Sequence, residues 1–460
     1  MIEFEKLSKE FAAANNDFYY IDCMQIPRCD RDDVFVEDGV HFNQEGYNFY
    51  TKFFLEALKD ELAEFYFLHI KRSVVMQQKA IVNANVVLET GIIWDGAILV
   101  EYGKILKVDK KMNLEIPEDV EIIDAGGKYV GPGFVDIHIH EANIYSTCYK
   151  TKEAAGYMLR HGTTSIFPTL SYSLNFEDFI CAIKNIKAAM PDAPTVKGMY
   201  MEGPYMNPKY GANAHKNPWL HPMDENEYKA LVDEAGEYAK VWAIAPEREG
   251  IVPFLEYARK VNPETVFALG HSEATPEQIR RLGKYRPTLQ THSMCATGRT
   301  QKELGTRSFG PDEYCFKEKD VYCELISDSV GLHVHSEMQQ LLIHNKGIDR
   351  VVLITDSTKE DAAAPEEFAH ITDINFDDVG GISGSKLTMD KVCRNIMAHT
   401  NCGIAQAFIM ASTNPAKVVG LYDELGSIEE GKNADFVFVD DKFNVNKVMF
   451  EGNICYEEEK

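Results

Sequence analysis

Positive charge is in short supply in this chain. Its 460 residues hold 47 lysines and arginines against 72 aspartates and glutamates, a formal net charge of −25. Nothing neutralises phosphates in bulk, which argues against a general binder of nucleic acid or anionic membranes. A small anionic substrate is still allowed, because it needs only local positive charge. Long apolar runs are also missing. No stretch approaches the roughly 18 residues of a membrane span. The first residues are charged and lack the apolar core of a secretion signal. The ten cysteines include no Cys-x-x-Cys pair. Scattered thiols fit a reducing compartment, so a cytoplasmic protein is expected. There is no short internal repeat and no low-complexity tract.

Hydrophobic residues make up 45% of the chain, ordinary for a globular protein with a large core. The first 75 residues read as a separate piece. Two helical stretches flank a loop at Asp38 to Tyr47, and Tyr47, Tyr50, Phe54, Leu58 and Leu62 recur at helical spacing. From Met76 the texture changes to short β-rich runs: Ala80 to Leu88, Gly96 to Val100 and Lys104 to Val108. The same texture returns at Asp435 to Val439 and Val445 to Phe450. One small β-sandwich built from 76–130 and 412–460 is expected. Between them lie eight candidate strands: 134–140, 165–170, 196–202, 241–245, 265–271, 288–292, 321–327 and 351–356. Most intervals are long enough for a helix. The fold class is therefore α/β, a parallel (β/α)8 barrel over 131–411. Gly380 to Ser385 is too isolated for a phosphate loop and reads as a flexible turn near the barrel mouth.

Metal-binding side chains cluster at the ends of these strands. His138 and His140 close the run from Phe134 to Ile137, and at i and i+2 they share one face of a strand. Asp136 points the same way and is expected to orient an imidazole. Glu202 closes 196–201, and the Gly203-Pro204 turn after it leaves the carboxylate at the rim. His271 follows Gly270, and His292 follows Thr291. In a parallel barrel all these ends meet on one face. Three His positions, a bridging-type Glu and a late Asp suit a hydrolytic metal centre. Asp356, after Val351 to Thr355, suits a general base that then acts as acid. His333 or His335, past the seventh strand, suits a substrate or oxyanion contact.

Several segments carry a resemblance. They are Gly131 to His140, Met201-Glu202-Gly203-Pro204-Tyr205, Gly270 to Thr275, Gly331-Leu332-His333-Val334, Ser383 to Met389, Asn414-Pro415-Ala416 and Gly426 to Asp435. With them the chain from Met76 onward resembles the amidohydrolase superfamily, and more narrowly the N-acetylglucosamine-6-phosphate deacetylases. The resemblance implies metal-dependent removal of the acetyl group from N-acetylglucosamine-6-phosphate. It implies one ion on Glu202, His271 and His292. A second would sit on His138 and His140, with Glu202 bridging and Asp356 nearby. Zn, Fe, Mn and Co all suit such ligands. It favours His333 over His335 as the group that polarises the carbonyl, and Asp356 as the proton shuttle. Cys295, Ala296 and Arg299 fall where the family binds the sugar phosphate, with Arg307 as a rival to Arg299. The family also implies a homodimer.

The chain departs from the family at two places. Cys295-Ala296 stands where relatives carry Asn-Ala, and Glu141 to Tyr145 replaces a Gly-rich loop. These changes touch the substrate pocket and leave the metal residues in place. The alternatives are thus another N-acyl amino sugar, another N-acyl compound, or a non-catalytic sugar-phosphate binder. Asp38, His41 and Gly46-Tyr47 resemble the last catalytic block of SGNH esterases. The matching Ser block is missing, so 1–75 is expected to be a non-catalytic remnant, with Met76 a natural start of the catalytic unit.

Overall fold

The computed structural model describes residues 78–298, 309–359 and 362–458. The chain divides into two compact units, Met1–Met76 and Gln77–Lys460. All described residues belong to the second. The expectations for 1–75, including Asp38 and His41, and those for Arg299 and Arg307 lie outside the described residues.

Eight parallel strands form the barrel sheet. In order they are Phe134–Ile139, Thr163–Ser171, Met199–Glu202, Ala239–Ile244, Val266–Leu269, Leu289–Gln290, Tyr322–Leu325 and Val351–Leu353. Each pairs in parallel with the next in sequence. The first strand is buried along its whole length, as parallel strands covered on both faces must be. A helix follows each strand, from Thr151–Arg160 after the first to Met389–Thr400 after the eighth. Local sequence starts these helices. Asn175 caps Phe176–Ala189 by accepting from the Asp178 N–H at 2.9 Å. The last strand reaches the first through backbone bonds just past their ends. Asp356 N donates to His138 O at 2.9 Å, and His140 N and Glu141 N both donate to Ser357 O. The barrel mouth is thereby drawn together where the site forms.

The remaining large sheet has eight strands from both ends of this unit. Its join is antiparallel, Phe436–Val439 against Tyr129–Pro132. Gln78–Leu88 lies at its middle and changes partner along its length, pairing with Glu121–Asp124 and then with Tyr129–Pro132. Two apolar clusters flank it, one around Ile98, Val130 and Phe436, the other around Ala80, Ala97 and Leu114. The segment before the C-terminal strands is helical over Ile404–Phe408 and Asn414–Val418. There Phe408 stacks on Phe134, with ring centroids 5.6 Å apart, at the start of the first barrel strand. Among the described residues no helix is long and apolar enough to cross a membrane.

The barrel strands are shorter than their apolar runs. The chain leaves the ladder before His271, His292 and Asp356, which take φ of +40°, +23° and +45°. Side chains other than glycine rarely adopt this left-handed region, and such strain concentrates at functional sites. Gly380 to Ser385 is also more ordered than a flexible turn. Ile382–Ser385 pairs antiparallel with Ile374–Phe376, and Asp377 accepts from the Val379 and Gly381 amides.

Candidate metal centre

The barrel geometry sets the position of each site residue. His138 lies in the first strand and His140 one residue beyond it. Glu202 ends the third strand. His271, His292 and Asp356 follow the fifth, sixth and eighth. Their side chains converge. His271 Nε2 and His292 Nε2 lie 3.1 and 3.2 Å from Glu202 Oε1, and 3.0 Å from each other. His140 Nε2 lies 3.2 Å from the other oxygen, Glu202 Oε2, and 3.4 Å from Asp356 Oδ1. His138 Nε2 lies 3.6 Å from the same Asp356 oxygen. Two groups of possible ligands result, His138–His140–Glu202 and Glu202–His271–His292, with Glu202 in both.

The imidazoles are aimed by their other nitrogen. His138 Nδ1 lies 3.1 Å from Glu324 Oε2 and His140 Nδ1 3.1 Å from Thr169 O. His271 Nδ1 and His292 Nδ1 each lie 3.2 Å from a carbonyl, of Tyr210 and Cys295. An acceptor at Nδ1 places the proton there and leaves the Nε2 lone pair free for a metal. Gly211, at φ +103°, lets the loop carrying Tyr210 come this close, since a Cβ there would lie 2.5 Å from the His271 ring.

These residues fit a divalent ion. A tetrahedral ion with bonds of about 2.0–2.1 Å spaces its ligands about 3.3 Å apart. The His271, His292 and Glu202 atoms stand at nearly that spacing. Buried His138 Nε2 has no hydrogen-bond partner among the described residues. The carboxylates favour positive charge here, carried by protonated imidazole while no ion is bound. Burial opposes charging His140, yet hydrogen bonds and charge from Asp356 and Glu202 prevail and push its pKa up to about 10. His292 is pushed up to about 9, against burial, chiefly by Glu202 and Asp356. Glu202 is held well below the usual carboxylate range, because bonds from His140, His271 and His292 outweigh its burial.

The other expected residues also find places. His333 lines the cavity with its Nδ1 held 3.1 Å from Asp328 Oδ2, and its Nε2 has no partner among the described residues. His335 is exposed instead. The segment is not extended, and His335 caps the helix Ser336–Lys346. Cys295 and Ala296 line the same cavity, of about 520 Å³, as do His140, His271 and Asp356. Glu141 reaches its wall while Ile144 stays exposed. Asp136 is a correction. It touches no imidazole ring; it accepts from Thr355 Oγ1 at 2.6 Å and from the His138 amide. Its carboxyl steadies the residue before Asp356, and Glu324 is the group on the His138 ring. Ser385 grips the same segment, its N donating to Asp356 O and its Oγ to Thr355 O. Nothing in the sequence marks Glu324 and Asp328, since each reads as an ordinary polar residue near a strand end.

A model of the amidohydrolase family matches residues 129–455. The chain belongs to the amidohydrolase family. An N-acetylglucosamine-6-phosphate deacetylase of Bacillus subtilis (strain 168) is 27% identical over 407 residues, covering 84% of this chain and 97% of that protein. An N-acetylgalactosamine-6-phosphate deacetylase of Escherichia coli O157:H7 is 28% identical over 358 residues, covering 74% and 91%. A solved N-acetylglucosamine-6-phosphate deacetylase of Thermotoga maritima shares 26% identity at a TM-score of 0.69, covering 82% of this chain and all of that one. The two ligand groups at the barrel mouth agree with the general metal dependence of the amidohydrolase family.

Proposed function

We propose that this amidohydrolase removes the acetyl group of N-acetylglucosamine-6-phosphate, releasing glucosamine-6-phosphate and acetate. The observation that carries the reading is the shared Glu202, set between His271–His292 on one oxygen and His140 on the other, inside a cavity large enough for a sugar phosphate. The similar deacetylases from Bacillus and Thermotoga support the substrate. Glu202, His271 and His292 would hold one ion, and His138, His140 and Glu202, with Asp356 beside them, a second. Zn, Fe, Mn or Co would serve. Such an ion supplies Lewis acidity and acidifies water when bound.

The chain's own groups do the rest. Asp356 takes a proton from the attacking water and passes it to the departing amine nitrogen. Burial would raise its pKa, but the charges of His138, His140 and His292 and a bond from His140 hold it below the usual range, so it is ionised and ready to accept. His333, held by Asp328 at Nδ1, turns its Nε2 edge to the carbonyl oxygen as the polarising group. The family resemblance assigns Cys295 and Ala296, both on the cavity wall, to the phosphate end of the substrate; its further candidates, Arg299 and Arg307, lie outside the described residues.

The test is acetate release from N-acetylglucosamine-6-phosphate, N-acetylgalactosamine-6-phosphate and unphosphorylated N-acetylglucosamine, with metal content read on the same sample. Fast turnover of the first alone is expected. Bound metal without turnover of any of the three would sink the substrate assignment and leave the centre standing. Among the described residues lining the cavity, Lys359 is the one Lys or Arg. Loss of a charge-assisted phosphate contact costs about 1.5–3 kcal/mol. Lys359→Ala is therefore expected to raise KM about 10- to 100-fold for the phosphorylated sugar. The slow turnover of the unphosphorylated sugar should not change; an equal loss on both would place Lys359 outside phosphate recognition.

A further inference from the structure

We propose that Glu324 is a positioning residue that ties the two ligand groups into one centre. This rests on the metal centre proposed above. Glu324 lies in the seventh barrel strand, fully buried beneath the site. One of its oxygens, Oε2, serves both groups. It lies 3.1 Å from His138 Nδ1 and accepts from the His292 backbone N–H at 3.0 Å. The strand backbone repeats the tie, with Ser293 N donating to Glu324 O at 2.8 Å. His138 belongs to one ligand group and His292 to the other. A single carboxyl oxygen thus sets the ring orientation of the first and the backbone position of the second.

The surroundings make this tie stiff. The Tyr200 ring packs against His138, with centroids 4.5 Å apart, and its hydroxyl lies 2.8 Å from Thr291 Oγ1, the residue before His292. Hydrogen bonds in such a buried setting are electrostatically strong. The other carboxyl oxygen, Oε1, has no hydrogen-bond partner among the described residues. A buried carboxyl with an idle oxygen is costly for folding alone. Its use is to hold the His138 proton on Nδ1 and free Nε2 for metal.

The experiment is a zinc titration of the full chain, stripped of metal and followed with a competing chromogenic chelator. Wild type is compared with Glu324→Gln, and Tm is measured on both metal-free proteins. Outer partners of metal-bound histidines are worth about 10- to 100-fold in affinity. Glu324→Gln is expected to lose that much zinc affinity, chiefly at the His138–His140–Glu202 group whose ring it holds, with metal-free Tm little changed. Equal zinc affinity and stoichiometry in the two proteins would overturn the proposal. A fall in metal-free Tm with zinc binding intact would reduce Glu324 to a packing residue. Wild type that binds no zinc would instead refute the metal centre itself. If the glutamine variant does not fold, Glu324→Asp repeats the test, since a carboxyl withdrawn by one methylene must also release His138.

Discussion

Asp356→Asn is expected to lower kcat for acetate release by about 10²- to 10⁴-fold, the usual contribution of a positioned general acid–base group. The amide keeps the size and shape of the side chain but cannot take a proton from water. The structure makes the comparison clean. Asp356 sits 3.4 Å from His140 Nε2 and 3.6 Å from His138 Nε2, while Glu202, His271 and His292 form a ligand group without it. Metal on that group should remain. The backbone is secured separately, by Asp356 N on His138 O and Ser385 N on Asp356 O. Steady-state kinetics with metal content on the same preparation decide the matter. Full activity with asparagine would remove Asp356 from the proton path. Lost activity with lost metal would make it chiefly a ligand.

The second large effect is expected at Glu202. Glu202→Ala leaves two His pairs, each short of its carboxylate, since both ligand groups share this one side chain. Metal affinity should fall by more than the about 10- to 100-fold that an outer partner is worth. Activity should disappear with it. The metal-free protein should also suffer. Breaking a buried ion pair by removing one partner costs about 3–5 kcal/mol, and Glu202 pairs with His140 and His292, the two rings whose pKa is raised. A chelator should silence the wild type, and a divalent ion should restore it but not the variant. Elemental analysis per chain together with acetate release reads both. A Glu202→Ala protein that keeps its metal and its turnover would show that the centre lies elsewhere.

What the sequence by itself determined was the set of strand-end residues. His138, His140, Glu202, His271, His292 and Asp356 each follow a buried apolar run, and a parallel barrel has one face on which such ends can meet. That inference needs only strand direction and order, both legible from alternating apolar runs and helices. The join of the two β-rich ends was legible in kind, because both carry the same short-strand texture. Their register, Phe436 opposite Pro132, was not.

Tertiary structure decided which groups aim the imidazoles. Glu324, Asp328 and the carbonyls of Thr169, Tyr210 and Cys295 act through contacts of 3.1–3.2 Å. Apart from Asp328 and Cys295, they belong to segments far in sequence from the ring they hold. A backbone carbonyl leaves no signature in residue type, and a buried Glu in a strand looks like any other until its neighbour across the barrel is known. The same holds for Asp136, whose i+2 spacing to His138 suggested a ring contact and whose carboxyl turned instead to Thr355 across the barrel seam. The choice between His333 and His335 required the segment's path: it is not extended, so the two rings diverge, one into the cavity and one onto a helix start. Side-chain direction at the mouth was also beyond pattern. The positive φ of His271, His292 and Asp356 takes them off the strand period, and only packing around the centre makes that conformation affordable.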